Sequence, residues 1–326
     1  MSSSLQDEYI KKESLYGAQN YSPLSVVLEK GEGAYLWDVD GNKYLDMVSA
    51  YSAVSHGHSH PELLKTLHEQ SSKLSVTSRA FYTEPFSTFL EKLSKVSGFE
   101  SILTMNTGAE AVETAIKAAR RWGYFSKGIP EDKAEIIVAN GNFHGRTTTI
   151  VSFSSDASYK DGFGPFTPGF NSAEYCGSCD CQSIDSCLSI ESFEKKINKN
   201  TCAILVEPIQ GEAGIRVPTD GWLKQLRALC TSRNILLILD EIQSGLGRTG
   251  KLFAYEHENI KPDGLILGKA LGGALLPISA FLSSNEIMNH FNPGSHGSTF
   301  GGNPLASKIA LKAIDLLFEE KLIENS

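Results

Sequence analysis

Little in this sequence favours a nucleic acid or a membrane as partner. Acidic residues outnumber basic ones by 38 to 30 and the formal net charge is -8, so there is no cationic footprint for phosphate backbones or anionic lipid. No apolar run approaches the roughly 20 residues that cross a bilayer as a helix. The opening stretch, Met1 to Gly17, is polar and of mixed charge. It has neither the apolar centre of a secretory signal nor the arginine-rich, acid-poor character of a transit peptide. A soluble cytoplasmic protein is the expectation. Cysteines are few, six in 326 residues, and four of them (Cys176, Cys179, Cys181 and Cys187) crowd one short segment. A secreted disulfide framework would spread its cysteines along a small domain. His56, His58 and His60 alternate in a Gly/Ser loop, without the i, i+4 spacing or nearby carboxylates of a zinc helix. No metal is assigned to them.

What is present is apolar bulk in an alternating order. At 41 % hydrophobic over 326 residues the chain can bury a large core, and its length suggests about two domains. Leu236-Leu237-Ile238-Leu239-Asp240 is a continuous apolar run closed by a carboxylate, the pattern of a strand buried on both faces of a parallel sheet. Gly264-Leu265-Ile266-Leu267-Gly268-Lys269 repeats it with an amine. Ligands of open α/β sheets sit outside the carboxyl ends of the strands, so Asp240 and Lys269 are positioned to face one bound molecule. An ordinary strand-end ion pair reads the same way.

Upstream, residues 26–38 and the turn Asp40-Gly41-Asn42-Lys43 predict a small antiparallel hairpin sheet. Tyr21 lies just outside it on a Pro-bounded turn, either near a ligand or simply a half-buried aromatic with a wet hydroxyl. Asn106-Thr107-Gly108-Ala109 opens a helix with the stripe Val112, Ala115, Ile116 and Ala119, with Gly123 as its stop. The free N–H groups at Gly108 and Ala109 are a plausible phosphate seat, although any Thr-Gly cap looks alike. Residues 135–139 read as a strand leading to Phe143-His144-Gly145-Arg146, an aromatic to stack on a flat ligand and a guanidinium to grip a carboxylate. Ala203 to Val206 is another strand, and Trp222, Leu223, Leu226 and Leu229 mark the helix that completes a βαβ unit with the Asp240 strand. Cys230 falls on the apolar side of that helix as a core thiol.

Taken together, Asn106-Thr107-Gly108, Phe143-His144-Gly145-Arg146, Glu207 to Glu212, Asp240 to Gly245, Gly268-Lys269-Ala270-Leu271 and His296 to Pro304 resemble the class III aminotransferases, which use pyridoxal 5'-phosphate (PLP). Tyr51 to Val54, Thr77 to Tyr82 and Asp161 to Phe166 are similar to the ornithine aminotransferases among them. The resemblance spans nearly the whole chain. It implies PLP fold type I, an α/β large domain with a mostly parallel sheet flanked by helices plus a smaller α+β domain. The implied division is residues 1–50 for the N-terminal part of the small domain, 51–290 for the large PLP-binding domain, and 291–326 for an interface loop and the start of the C-terminal small domain. A homodimer with shared active sites is implied as well.

The resemblance also implies roles. Lys269 would hold PLP covalently and move the proton, and Asp240 would pair with the pyridine nitrogen. Phe143 would stack on the ring, Gln243 would bond its phenolic oxygen, Gly108 and Ala109 would hold the phosphate, Thr299 would reach the phosphate of the partner subunit's cofactor, and Ser298 is a further cofactor-binding residue. Tyr21 and Arg146 would hold the α-amino and α-carboxylate groups of ornithine so that its δ-amine reacts, with Tyr51 lining the pocket nearby and 2-oxoglutarate as acceptor. Glu212 would mask a C-terminal arginine between the two half-reactions. N-acetylornithine or 4-aminobutyrate are alternative donors within the class, and a non-catalytic PLP-binding protein is the alternative outside it.

Two departures stand out. The sequence ends at Ser326, in a helix-like stretch with Leu311, Ile314, Leu317 and Phe318, before the family's C-terminal arginine; the expectation is that it is a piece of a longer protein. The segment Cys176 to Cys187 is the second departure, open to three readings: a structural zinc knot, a redox-sensitive thiol switch with a thiol-redox partner, or a surface loop.

Overall fold

The computed structural model describes residues 5–177 and 187–326. Two sheets organise it. The first joins β1 (Leu28–Glu32), β2 (Tyr35–Asp38) and β3 (Lys43–Leu45) in antiparallel order, as the alternating runs and the Asp40-Gly41 turn predict. Asp38 fastens that turn by accepting from Asp40 N, Asn42 N and Tyr44 Oη.

The second sheet has seven strands: β4 (Ser101–Met105), β5 (Glu135–Ala139), β6 (Phe170–Ala173), β7 (Thr201–Val206), β8 (Leu236–Asp240), β9 (Gly264–Leu267) and β10 (Ser279–Ser283). Their order is β4-β10-β9-β8-β7-β5-β6. Only β10 runs against the rest, pairing antiparallel with both β4 and β9. The expected fold type I sheet, mostly parallel and flanked by helices, is what the chain forms.

Every residue of β7, β8, β9 and β10 is buried, because both sheet faces are covered. The period-2 alternation of strand side chains divides the core accordingly. Ile137, Ile204, Leu237, Leu239, Leu265 and Leu267 point to one face, against Phe89, Phe193, Trp222, Leu226 and Ile314 of four helices. Ile136, Ala203, Leu205, Ile238 and Ile266 point to the other, against the helix Gly108–Phe125. Strands that must be apolar on both faces can carry polar chemistry only at their ends, which is where Asp240 and Lys269 lie.

The helix Trp222–Ser232 buries Trp222, Leu223, Leu226 and Cys230, so Cys230 is the core thiol expected. The helix Gly108–Phe125 departs from expectation at Gly123. The helix runs through this glycine, which is buried within it. A Cβ at Gly123 would stand 2.9 Å from Cys202 Cβ and 3.2 Å from Ile129 Cδ1. Close packing against β7, not helix termination, explains the residue. Among the described residues no helix is long and apolar enough to cross a membrane.

Replacing Gly123 with valine should therefore destabilise the fold by about 1–3 kcal/mol through overpacking, despite valine's better helix propensity. A thermal melt lowered by a few degrees would agree with this. An unchanged or raised midpoint would show that β7 can yield.

Candidate active site

β8 and β9 end side by side, with Asp240 paired to Ile266 in register. The chain then turns sharply. Lys269 adopts φ = +43°, a left-handed conformation that a non-glycine residue holds only where its surroundings impose it. Helix Gly108–Phe125 begins beside these strand ends. Thr107 caps it by accepting from Glu110 N, while the Glu110 carboxylate takes Thr107 N and Asn106 N. Ser279 of β10 anchors this cap by donating to Thr107 O at 2.7 Å.

These ends enclose a cavity of about 200 Å³ lined by Gly108, Ala109, Phe143, Asp240, Gln243 and Lys269, together with His144, Gly145, Glu207, Ile209 and Ile242. Six residues singled out in the sequence thus meet in one space.

Asp240 is 4 % exposed. Its Oδ2 lies 2.7 Å from His144 Nδ1 and its Oδ1 accepts from Ile242 N at 3.0 Å. Burial opposes a charge on His144, but the hydrogen bond and charge of Asp240 outweigh it and move the imidazole up from its ordinary value. His144 Nε2 is buried without a hydrogen-bond partner among the described residues. Burial pushes the Glu207 carboxyl up to about 7, a move that the charge of His144 opposes and that of Asp240 reinforces. The Lys269 ammonium is shifted down by burial, with Glu212, Asp240 and Glu207 pulling the other way. The amine is thereby closer to its neutral, reactive form.

The donor set suits a flat, anionic, aromatic cofactor. An amine and a carboxylate flank the space, Phe143 offers a ring, and the first-turn N–H groups at Gly108 and Ala109 have no intrahelical partner. The cradle is tight, since a Cβ on Gly108 would stand 2.8 Å from Ile242 Cδ1.

None of the other expected residues lines this cavity. Arg146 lies with its guanidinium 4.4 Å from the Tyr159 ring centre and 5.8 Å from that of Phe143. Glu212 accepts from Gln243 Nε2 at 2.7 Å. Tyr21 is 71 % exposed and lines a separate groove formed by the N-terminal arm. Tyr51 is exposed, on a left-handed run in which Ser49, Ala50, Tyr51 and Ser52 all have positive φ. Ser298 and Thr299 line a different pocket with Thr77, Ser78 and Arg79. Of the cysteine cluster, Cys176 and Cys187 are buried in the core; Cys179 and Cys181 lie outside the described residues. Cys176 Sγ sits 3.2 Å from Thr219 Oγ1. His56, His58 and His60 diverge to Ala313 O, Asp46 and Glu320.

His144, Glu207 and Ile242 had no assigned role in the sequence. The signal available for His144 and Glu207 was modest: each is a titratable residue in a loop or strand end that already carried a chosen neighbour.

The seven-stranded sheet and this site define an aminotransferase of PLP fold type I. The chain belongs to the class III aminotransferase family, whose model matches residues 16–326, and that family is PLP-dependent. It is 53 % identical over 317 residues to an ornithine aminotransferase of Brevibacillus brevis, covering 97 % of this chain and 76 % of the relative. Identity to the mitochondrial ornithine aminotransferase of Drosophila ananassae is 51 % over 323 residues, 99 % of this chain and 72 % of that one. An ornithine aminotransferase structure from Toxoplasma gondii, with PLP at partial occupancy in its active site, superposes with a TM-score of 0.92 at 43 % identity, covering 98 % of this chain and 72 % of that one. An acetylornithine aminotransferase from Elizabethkingia anophelis superposes with a TM-score of 0.85 at 46 % identity, covering 99 % and 75 %.

Because folded Glu207 keeps its proton up to about 7 and an unfolded glutamate releases it near 4.5, the folded chain binds more protons between those values. Stability then falls as pH rises through that window. Glu207→Gln should remove a loss on the order of 3 kcal/mol, read from urea unfolding of the cofactor-free protein at pH 5 and pH 8. Parallel pH dependence in the two proteins would contradict this assignment.

Proposed function

We propose that this chain is a PLP-dependent transaminase that moves the δ-amino group of L-ornithine to 2-oxoglutarate, giving glutamate 5-semialdehyde and glutamate. The observation that carries the reading is the convergence of Lys269, Asp240, Phe143 and the Gly108–Ala109 helix start on one cavity, in a chain 53 % identical to a protein named ornithine aminotransferase. When bound, PLP supplies an electron-poor ring that stabilises negative charge developing on the carbon beside the transferred nitrogen.

The chain's own residues divide the remaining work. Lys269 Nζ would anchor the cofactor and, once displaced by the substrate amine, would take up the proton released from the carbon beside the transferred nitrogen and give it back to the cofactor side; burial suits it by lowering its basicity. Asp240 holds the pyridine nitrogen in its protonated state, since an adjacent carboxylate favours the cation. Phe143 covers the ring, Gln243 donates to the phenolic oxygen, and the N–H groups of Gly108 and Ala109 receive the phosphate. Arg146 and Tyr21 grip the α-amino and α-carboxylate groups, with Tyr51 lining the pocket nearby, and leave the distal amine to react. Glu212, held by Gln243, is the charge whose position differs between the two half-reactions.

The same proposal includes a cytoplasmic homodimer. Its support is that Ser298 and Thr299 line a pocket of their own instead of the Lys269 cavity, as expected of residues that serve a second copy. N-acetylornithine is the second donor worth testing, given the 46 % identity to the Elizabethkingia acetylornithine enzyme.

An amine screen of the PLP-loaded protein tests donor and chemistry together. Ornithine should bleach the visible absorbance and 2-oxoglutarate should restore it, with N-acetylornithine at least about tenfold slower, a difference of 1.4 kcal/mol. A faster reaction with N-acetylornithine would replace ornithine in the proposal, and colour indifferent to every amine would end it. Asp240→Ala should lower kcat by about a thousandfold, on the order of 4 kcal/mol of barrier, while still retaining PLP on dialysis.

A further inference from the structure

The loop that carries Ser298 and Thr299 is fastened at two points, to the residues that lead into helix Gly108–Phe125 and to the helix itself. One is direct: Ser298 Oγ accepts from Asn106 Nδ2 at 2.8 Å and from Gly301 N at 3.1 Å. The other is His296, half-buried, whose ring stacks on Phe291 with centroids 5.5 Å apart. Its Nδ1 lies 2.8 Å from Lys117 Nζ, and its Nε2 lies 2.8 Å from Thr114 Oγ1.

Two partners with fixed roles decide the ring's state. An ammonium has donors only, so Nδ1 must accept. Thr114 spends its one hydroxyl proton on Glu110 O at 2.8 Å, so its oxygen accepts and Nε2 must donate. The neutral Nε2–H tautomer alone satisfies both contacts. Lys117 also donates to Ser295 O at 3.3 Å, which ties the same amine to the loop backbone.

Protonating Nδ1 would set two donors and two positive charges 2.8 Å apart. We propose that His296 is a positioning residue and a proton-sensitive latch: neutral, it clips the Ser295–Gly301 loop to the helix, and protonated, it releases the loop and weakens the hold on PLP. The second half of this inference rests on the reading of Ser298 and Thr299 as cofactor contacts.

The charged groups facing the ring are Lys117 and Glu110, both on the helix. Burial and Lys117 move the imidazole down from its ordinary value, against a smaller pull from Glu110. A released His296 titrates near its ordinary value of 6.5, so the clip is at full strength above that pH. It weakens as pH falls below it, because only the released loop takes up the proton readily.

The test measures hydrogen exchange of loop peptides, corrected for intrinsic rates, and the dissociation constant of PLP from the dimeric protein at pH 7.5 and 5.5. His296→Asn keeps an acceptor towards Lys117 but cannot titrate, and Lys117→Met removes the like charge that penalises protonation. In the natural sequence, acidification should cut loop protection by about tenfold and weaken PLP binding in step. Both variants should show a markedly smaller pH effect. Equal pH dependence in all three proteins overturns the latch. So does loosening of the loop with no change in PLP affinity. The ornithine-driven colour change, run at pH 8 on the same proteins, reports separately on the proposed activity.

Discussion

A carboxylate at the end of a strand buried on both faces needs donors, and the His144–Asp240 hydrogen bond at 2.7 Å is the contact around which this site is arranged. Taking an unpaired carboxylate out of water is among the most unfavourable steps a fold can contain. The imidazole makes it tolerable, and Ile242 N takes the second oxygen. The acids on either side are accommodated differently. Glu241 is pushed up to about 8 by burial while accepting from Ala254 N and Tyr255 N, and Glu207 is pushed up to about 7. Acids that keep their protons near neutral pH spare the His144–Asp240 pair a crowd of like charges.

The strand ends were legible because the chemistry there is local. Leu236 to Asp240 and Gly264 to Lys269 each show an apolar run and the charge that closes it, and neither needs a distant partner to be recognised. The capped helix start at Thr107 and the hairpin turn at Asp40-Gly41 are readable for the same reason. His144 was not, because its importance lies in a partner 96 residues away, and no periodicity carries that information. Gly123 shows a different failure: a glycine that ends a helix and one that lets a helix approach a strand are the same letter. The left-handed run at Ser49 to Ser52 contains no glycine or asparagine to announce it.

Residues proposed for ornithine form an outer layer with a different physical character. Arg146 rests on Tyr159, and Tyr21 and Tyr51 are exposed. The inner layer is rigid because the sheet core holds it from both sides. The outer layer sits on loops, so donor preference can diverge among relatives that share Asp240 and Lys269. The 46 % identity to an acetylornithine enzyme is consistent with that division.

The single reversed strand also has a kinetic meaning. β10 lies between β4 and β9, so β4, the strand that leads into the helix start at Thr107, joins the sheet only after Ser279 has come back to a partner 172 residues earlier. Contacts of such long range close late, since the intervening loop must be ordered first. A nascent chain that has not yet reached β10 can hold β5, β7 and β8 in place and still have no seat for a cofactor. Capture of the cofactor would then report that the large sheet is complete.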